Sequence, residues 1–287
     1  MPEGPEIRRA ADRLRRVLEG AKAHTVRFAA DAFPHLQRHH RALSGRCITT
    51  VESRGKALLT RFDNGWTIYS HNQLYGEWAV FRGEPPVSHL QTRLTIRTAT
   101  HAAVLYSASD IAVLRDADVA NHPYIARLGV ELLDPRTTVA DVLAQVEAPR
   151  FARRSLAGLL LDQGFLAGIG NYLRSDILFV ARLHPALRPI DLGAPGCRAL
   201  ARAALHLTRQ SYRTRGITND LALARRLKAT GWSYDRYRHR VFERAGEPCH
   251  VCERPIRRID LGGRGLFLCD HCQPRDGLGP KHASGER

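Results

Sequence analysis

The sequence predicts an α+β chain of several domains: an N-terminal helix with an antiparallel β-sandwich, then a helical domain, then a small C-terminal β-hairpin closed by cysteines. Three observations carry this. A helical apolar period opens the chain and gives way, over residues 22–114, to seven short β-rich segments separated by turn signals. After "LLDP" (Leu132 to Pro135) the texture turns helical. Four of the six cysteines then crowd into the last forty residues, in two pairs. At 287 residues the chain exceeds the usual single core, so more than one domain is expected.

The opening "MPEGPEIRRAADRLRRVLEG" places Ile7, Ala10, Ala11, Leu14, Val17 and Leu18 on one helical stripe. Pro5 suits the first turn of that helix, and Gly20 suits its stop. Arg8, Arg9, Arg13, Arg15 and Arg16 lie off the stripe. The segments "HTVRFAA", "CITTVES", "KALLTRF", "WTIYSHNQ", "EWAVF", "RLTIRT" and "AVLYSAS" follow. Arg54-Gly55, Asp63-Asn64-Gly65 and Arg82-Gly83 mark turns among them, the pattern of a sandwich or barrel. The first domain is therefore set at residues 2–134.

Helical patterns in "VADVLAQV", "RRSLAGLLLD", "NYLRSDILFVARL" and "RALARAALHLTRQ" set a second domain at 135–240. Within it, the basic stretch 211–240 reads as an irregular, mobile connection. Residues 241–273 hold the paired cysteines, and 274–287, rich in Gly, Pro and charge, are expected to be disordered.

The formal charge is +16 and the sequence pI about 10.4, which calls for a polyanionic partner. Nucleic acid is favoured over a membrane surface, because no apolar run approaches a spanning length. Glu3 and Glu6 precede any apolar stretch, so the start does not read as a signal peptide, and a reducing cytoplasmic compartment is expected. There, clustered cysteines serve metal ligation rather than disulfides.

Cys249, Cys252, Cys269 and Cys272 follow C-x2-C-x16-C-x2-C, the spacing of a four-thiolate zinc site. Such a site is structural, since four protein ligands leave no open position; the neighbouring His250 and His271 are the alternative ligands. His35, His39 and His40 sit in a charged run and read as solvated. In "GGRGLF", Arg264 stands between glycines, either to reach a phosphate or as one more basic surface residue. "DQGFLAGIGNYLRSDIL" carries Gly164, Gly168 and Gly170 before a helix, either to clamp a phosphate with Asn171 as an added donor or to turn a tight corner. Its spacing is not that of a dinucleotide site, so no nucleotide cofactor is expected.

Loss of Met1 would expose Pro2 as a secondary amine, with a pKa near the ordinary α-amino range of about 8. Such an amine attacks an aldehyde carbon to give an iminium that keeps its charge, and Glu3 stands beside it to move protons. The alternative is a frayed end that merely begins a helix.

"MPEGPEIRRAADRL", "ESRGKALL", "YSHNQLYG", "GLLLDQGFLAGIGNYLR" and the four-cysteine segment together resemble the formamidopyrimidine-DNA glycosylase family, in its endonuclease VIII branch. The likeness runs over most of residues 1–273 in the expected order. It implies a bifunctional DNA glycosylase and AP lyase of base excision repair, acting on duplex DNA with oxidised pyrimidines or abasic sites. The second domain would be a helix-two-turn-helix unit and the third a zinc finger.

By that resemblance Pro2 is the Schiff-base nucleophile, Glu3 the proton donor, and Lys56 a general acid in β-elimination. Arg264 would assist δ-elimination or grip a phosphate. Gln73, Leu74, Tyr75, Arg127 and Asn171 would contact DNA, the first three by filling the space of a flipped base, and Glu6 would support the pocket. A monomer at the bacterial nucleoid is expected. The alternatives are the same chemistry on oxidised purines, since 221–241 reads as long for this branch, and a non-catalytic zinc-ribbon DNA-binding protein.

Overall fold

A computed structural model of the chain describes residues 2–261 and 263–276, which fall into two compact units, Met1–Arg127 and Leu128–Arg287. The expected tail at 274–287 lies outside the described residues from 277 onward.

In the first unit α1 (Gly4–Leu18) buries Ile7, Ala10, Ala11, Leu14 and Leu18, the stripe read from its period, with Val17 half-buried beside them. Eight strands follow: β1 (Thr25–Phe28), β2 (Ile48–Arg54), β3 (Ala57–Phe62), β4 (Trp66–His71), β5 (Glu77–Arg82), β6 (Thr92–Arg97), β7 (His101–Tyr106) and β8 (Asp110–Arg115). They form two four-stranded antiparallel sheets in the orders β1-β6-β7-β5 and β2-β3-β4-β8. One core joins them: Val26, Leu94, Ile96 and Leu105 from one sheet, Val51, Leu58, Phe62 and Ile68 from the other, and the stripe of α1. Burial of Ile7, Leu14 and Leu18 contributes about 2 kcal/mol each.

Strand β8 was not among the seven segments. "DIAVLR" completes the second sheet by pairing with β4, from Trp66↔Arg115 to His71↔Asp110. The histidine run is solvated only at His35, which is exposed. His39 is buried with its ring edge-on to Trp66 at 5.0 Å, and His40 Nε2 in α2 (His40–Leu43) accepts the Phe28 N–H at 2.9 Å. Helix α3 (Pro123–Ala126) ends the unit.

The second unit begins seven residues before the expected boundary at 134. The reason is β9 (Val130–Glu131), which pairs in parallel with β10 (Leu166–Ala167) and so ties 128–134 to the helices. Those are α4 (Val139–Glu147), α5 (Leu156–Leu159), α6 (Asn171–Ala181) and α7 (Gly193–Arg213), which share one apolar core. Gly129 is required there, since a Cβ would stand 2.4 Å from the carbonyl oxygens of Gly164 and Phe165.

The stretch 211–240 is not an irregular connection. It forms α8 (Leu221–Ala229), capped by Asp220 through a 2.8 Å bond from Leu223 N–H, and α9 (Tyr234–Tyr237). The cysteine hairpin, β11 (Arg257–Leu261) with β12 (Arg264–Leu268), packs on the helices of this unit. Leu266 and Leu268 enter the helical core, while Phe267 packs on the opposite side with Phe179 and the cysteines.

Asp176, fully buried on α6, anchors the segment that leads to this hairpin. Its carboxylate accepts the N–H groups of Arg240, Val241 and Phe242 at 3.1, 2.9 and 3.2 Å, as well as the Thr218 hydroxyl. His239 Nδ1 lies 3.4 Å away. Burial by itself would raise this carboxyl, but His239 and the hydrogen bonds outweigh it and hold the pKa down to about 2. A carboxylate with a depressed folded pKa stabilises fully above its ordinary range, and the effect is lost as pH falls from about 4 toward 2. Asp176→Asn is therefore expected to lower unfolding stability by about 3 kcal/mol at pH 7, with the gap narrowing below pH ~4. Chemical denaturation of both chains across this range checks it; equal stability at pH 7 would contradict it.

Candidate active site

The sequence places Glu3 as the N-cap of α1, with Pro2 immediately before it. Glu3 backbone N–H donates to Glu6 Oε2 at 3.1 Å, so Glu6 closes the helix start. Glu3 is 2% exposed, which is rare for a carboxylate outside a working site. Lys56 is the second buried charge of this unit, at 7%. It sits on the two-residue turn between β2 and β3, where Gly55 has φ +55° and supplies the backbone that a tight hairpin needs at its first central position.

Alternation along β4 sends Ile68 into the sandwich core and Tyr69 and His71 to the opposite face, where β8 sets Asp110 opposite His71. Residues 116–127 cover that face. Tyr69 lies 4.0 Å from the His122 ring, and His71 meets the Tyr124 ring edge-on at 5.0 Å. Tyr69 Oη donates to Asp110 Oδ2 at 3.3 Å, and burial first, then Asp110, raises its phenol pKa. Burial lowers the pKa of His71, the positive charges of Lys56 and Arg127 lower it further, and Asp110 opposes them. His71 is thus neutral at pH 7, and its Nδ1 accepts the Gln73 N–H at 3.0 Å, which leaves the ring proton on Nε2.

Beyond β4 the chain makes a sharp loop. Gly76 N–H donates to Asn72 O at 2.7 Å, and Asn72 Nδ2 returns a bond to Gly76 O at 2.9 Å. A Cβ at Gly76 would stand 2.4 Å from Asn72 O, so only glycine closes this loop. Gln73 takes the left-handed conformation at φ +53°, with its side chain 3.5 Å from Asp110 Oδ2. Leu74 and Tyr75 project from the tip, 51% and 77% exposed. The pinned loop thus holds two large apolar side chains in water rather than in the core.

In the second unit Asn171 begins α6, after the glycine-rich corner. Its Nδ2 donates to Gly265 O at 2.8 Å, and its Oδ1 accepts from the buried guanidinium of Arg174. Gly265 follows Arg264, which is exposed at the start of β12. The helix start and the hairpin tip are therefore joined. The four cysteine sulfurs lie within 4.8 Å of one another, with Cys249–Cys272 at 3.9 Å and Cys252–Cys269 at 3.4 Å. Thiolates about 2.3 Å from one tetrahedral zinc stand roughly 3.8 Å apart, so this set fits that ion. It is one structural zinc site, and neither His250 nor His271 is among its ligands.

Of the residues predicted from sequence, Lys56, Gln73 and Arg127 gather around His71 and Tyr124 in the first unit, and Asn171 meets the Arg264 turn in the second. Tyr69, His71, Asp110, His122, Tyr124 and Arg174 were not singled out. The alternation in "WTIYSH" was the available signal, since it puts a tyrosine and a histidine on the face away from the core. The hairpin is expected to depend on its metal: one zinc per chain by elemental analysis, and faster proteolysis of residues 246–276 after chelation. Cys252→Ser retaining stoichiometric zinc and an intact hairpin would contradict this.

The family model for the formamidopyrimidine-DNA glycosylase N-terminal domain matches residues 1–108, that for the H2TH domain of the same enzyme 128–221, and that for the zinc finger found in FPG and IleRS 246–275. Endonuclease 8 of Shigella sonnei is 44% identical over 274 residues, covering 95% of this chain and all of its own. Endonuclease 8 of Klebsiella pneumoniae matches at the same identity and coverage. Among solved structures, Lactococcus lactis Fpg bound to DNA with an abasic site superimposes with a TM-score of 0.79 over 95% of this chain and 99% of its own, at 18% identity. Its complex with DNA containing N7-benzyl-Fapy-dG gives 0.78 over 95% and 100%, at 20% identity. These structures share the fold of the helix, sheets, helix-two-turn-helix unit and finger. On the sequence matches, the chain belongs to the formamidopyrimidine-DNA glycosylase family.

Proposed function

We propose that the chain removes oxidised pyrimidines from duplex DNA and then cuts the strand by β,δ-elimination, with Pro2 as the nucleophile. Membership of the family makes it a DNA glycosylase with AP lyase activity in base excision repair. The observation that carries the finer reading is the pair of charged groups in the first unit, Glu3 at 2% and Lys56 at 7% exposure, in a chain whose other lysines and carboxylates mostly meet water.

Once Met1 is removed, the Pro2 nitrogen attacks C1′, the bond from C1′ to the base breaks, and the base leaves with a proton. Glu3 protonates O4′ as the sugar ring opens, giving an iminium cation on Pro2. That cation draws electrons, so C2′ loses a proton and the C3′–O bond breaks, expelling the phosphate; Lys56 serves as the acid of this step. Loss of a C4′ proton and rupture of the C5′–O bond complete the δ-step, at which Arg264 holds the phosphate. Gln73, Leu74 and Tyr75 fill the stack after the base leaves, which costs a few kcal/mol and less for a damaged pair. Arg127 and Asn171 hold the strand. In a bacterium such an enzyme would work in the cytoplasm at the nucleoid, a reading supported by the charge of +16, which favours DNA.

Borohydride trapping tests the reading on duplexes carrying thymine glycol, dihydrouracil, 8-oxoguanine or an abasic site. A covalent adduct is expected with the pyrimidine lesions and the abasic site, and none with Pro2→Thr. Glu3→Gln should cut base release at least 100-fold while the abasic duplex is still trapped. Preference for 8-oxoguanine would transfer the substrate to oxidised purines, and the absence of any adduct would leave a DNA-binding protein without this chemistry.

A further inference from the structure

We infer that Tyr124 is a positioning residue for Lys56, a role that rests on the reading of Lys56 as the acid of β-elimination. The turn Arg54–Gly55–Lys56–Ala57 has two central residues. The N–H of the second central residue, Lys56, donates to Tyr124 Oη at 2.8 Å, a buried contact spanning 68 residues of sequence.

The ring of Tyr124, itself buried, makes two further contacts. His71 meets it edge-on at 5.0 Å, and the Arg127 guanidinium faces it at 5.5 Å. Its own position is set by His122, whose Nδ1 accepts the Tyr124 N–H at 3.3 Å. One side chain therefore holds the Lys56 backbone by its hydroxyl and meets His71 and Arg127 by its ring, and the positive charges of Lys56 and Arg127 are both felt at His71. A lysine side chain is long and flexible; pinning its backbone is the means by which the turn aims the ammonium group.

Tyr124→Phe keeps the ring and removes one oxygen, leaving a buried N–H without that acceptor. On an abasic duplex under single-turnover conditions, strand scission should slow about tenfold while the yield of borohydride adduct is undiminished, because imine formation precedes the step that Lys56 serves. In a Lys56→Met background, adding Tyr124→Phe should change scission less than twofold. Scission and adduct falling together would mark a merely structural role and overturn the inference. So would an equal effect of Tyr124→Phe with and without Lys56, or unchanged scission. No adduct from the unaltered chain would instead overturn the proposed chemistry, and this inference with it.

Discussion

Burial of one apolar stripe on α1 sets where Pro2 and Glu3 stand. A terminus ordinarily frays, because few contacts oppose its conformational entropy. Here Ile7, Ala10, Ala11, Leu14 and Leu18 lock the helix into the core shared by both sheets. The helix begins at Gly4, so no slack remains between that core and Glu3. Glu6 closes the first turn by accepting the Glu3 N–H. The precision of the proposed nucleophile thus comes from packing well away from it.

The second unit uses a different device for the same end. Its hairpin is too short to bury a core of its own, so metal ligation supplies the folding energy. Where the hairpin sits is decided by α6: Leu266 and Leu268 enter the helical core, Asn171 binds Gly265, and Asp176 gathers the N–H groups of 240–242. Arg264 owes its place to these contacts. A buried carboxylate is costly to dehydrate, and five polar partners offset that cost.

Where burial follows a clean period, the sequence was legible. The α1 stripe is helical, seven strands stand between turn residues, and the cysteine spacing is itself a geometric statement. Legibility failed where a long-range partner decides. "DIAVLR" becomes a strand by pairing with β4, and residues 128–134 join the helical unit through a two-residue parallel pairing with 166–167. Six basic residues between 221 and 240 hid the helix that Asp220 caps. In the site, Lys56 and the 73–75 loop were found through family motifs. The neighbours that set their chemistry, His71 and Tyr124, come from segments 53 residues apart in sequence and read singly as ordinary polar positions.

The central claim is that packing of α1 delivers the Pro2 nitrogen to the sugar. Its most direct measurement is mass spectrometry of peptides from the chain reduced by borohydride while bound to an abasic duplex. The account predicts the deoxyribose-derived mass on the peptide that begins at Pro2, at its amino nitrogen. The same mass on Lys56 or any other lysine, with the Pro2 peptide unmodified, would contradict it.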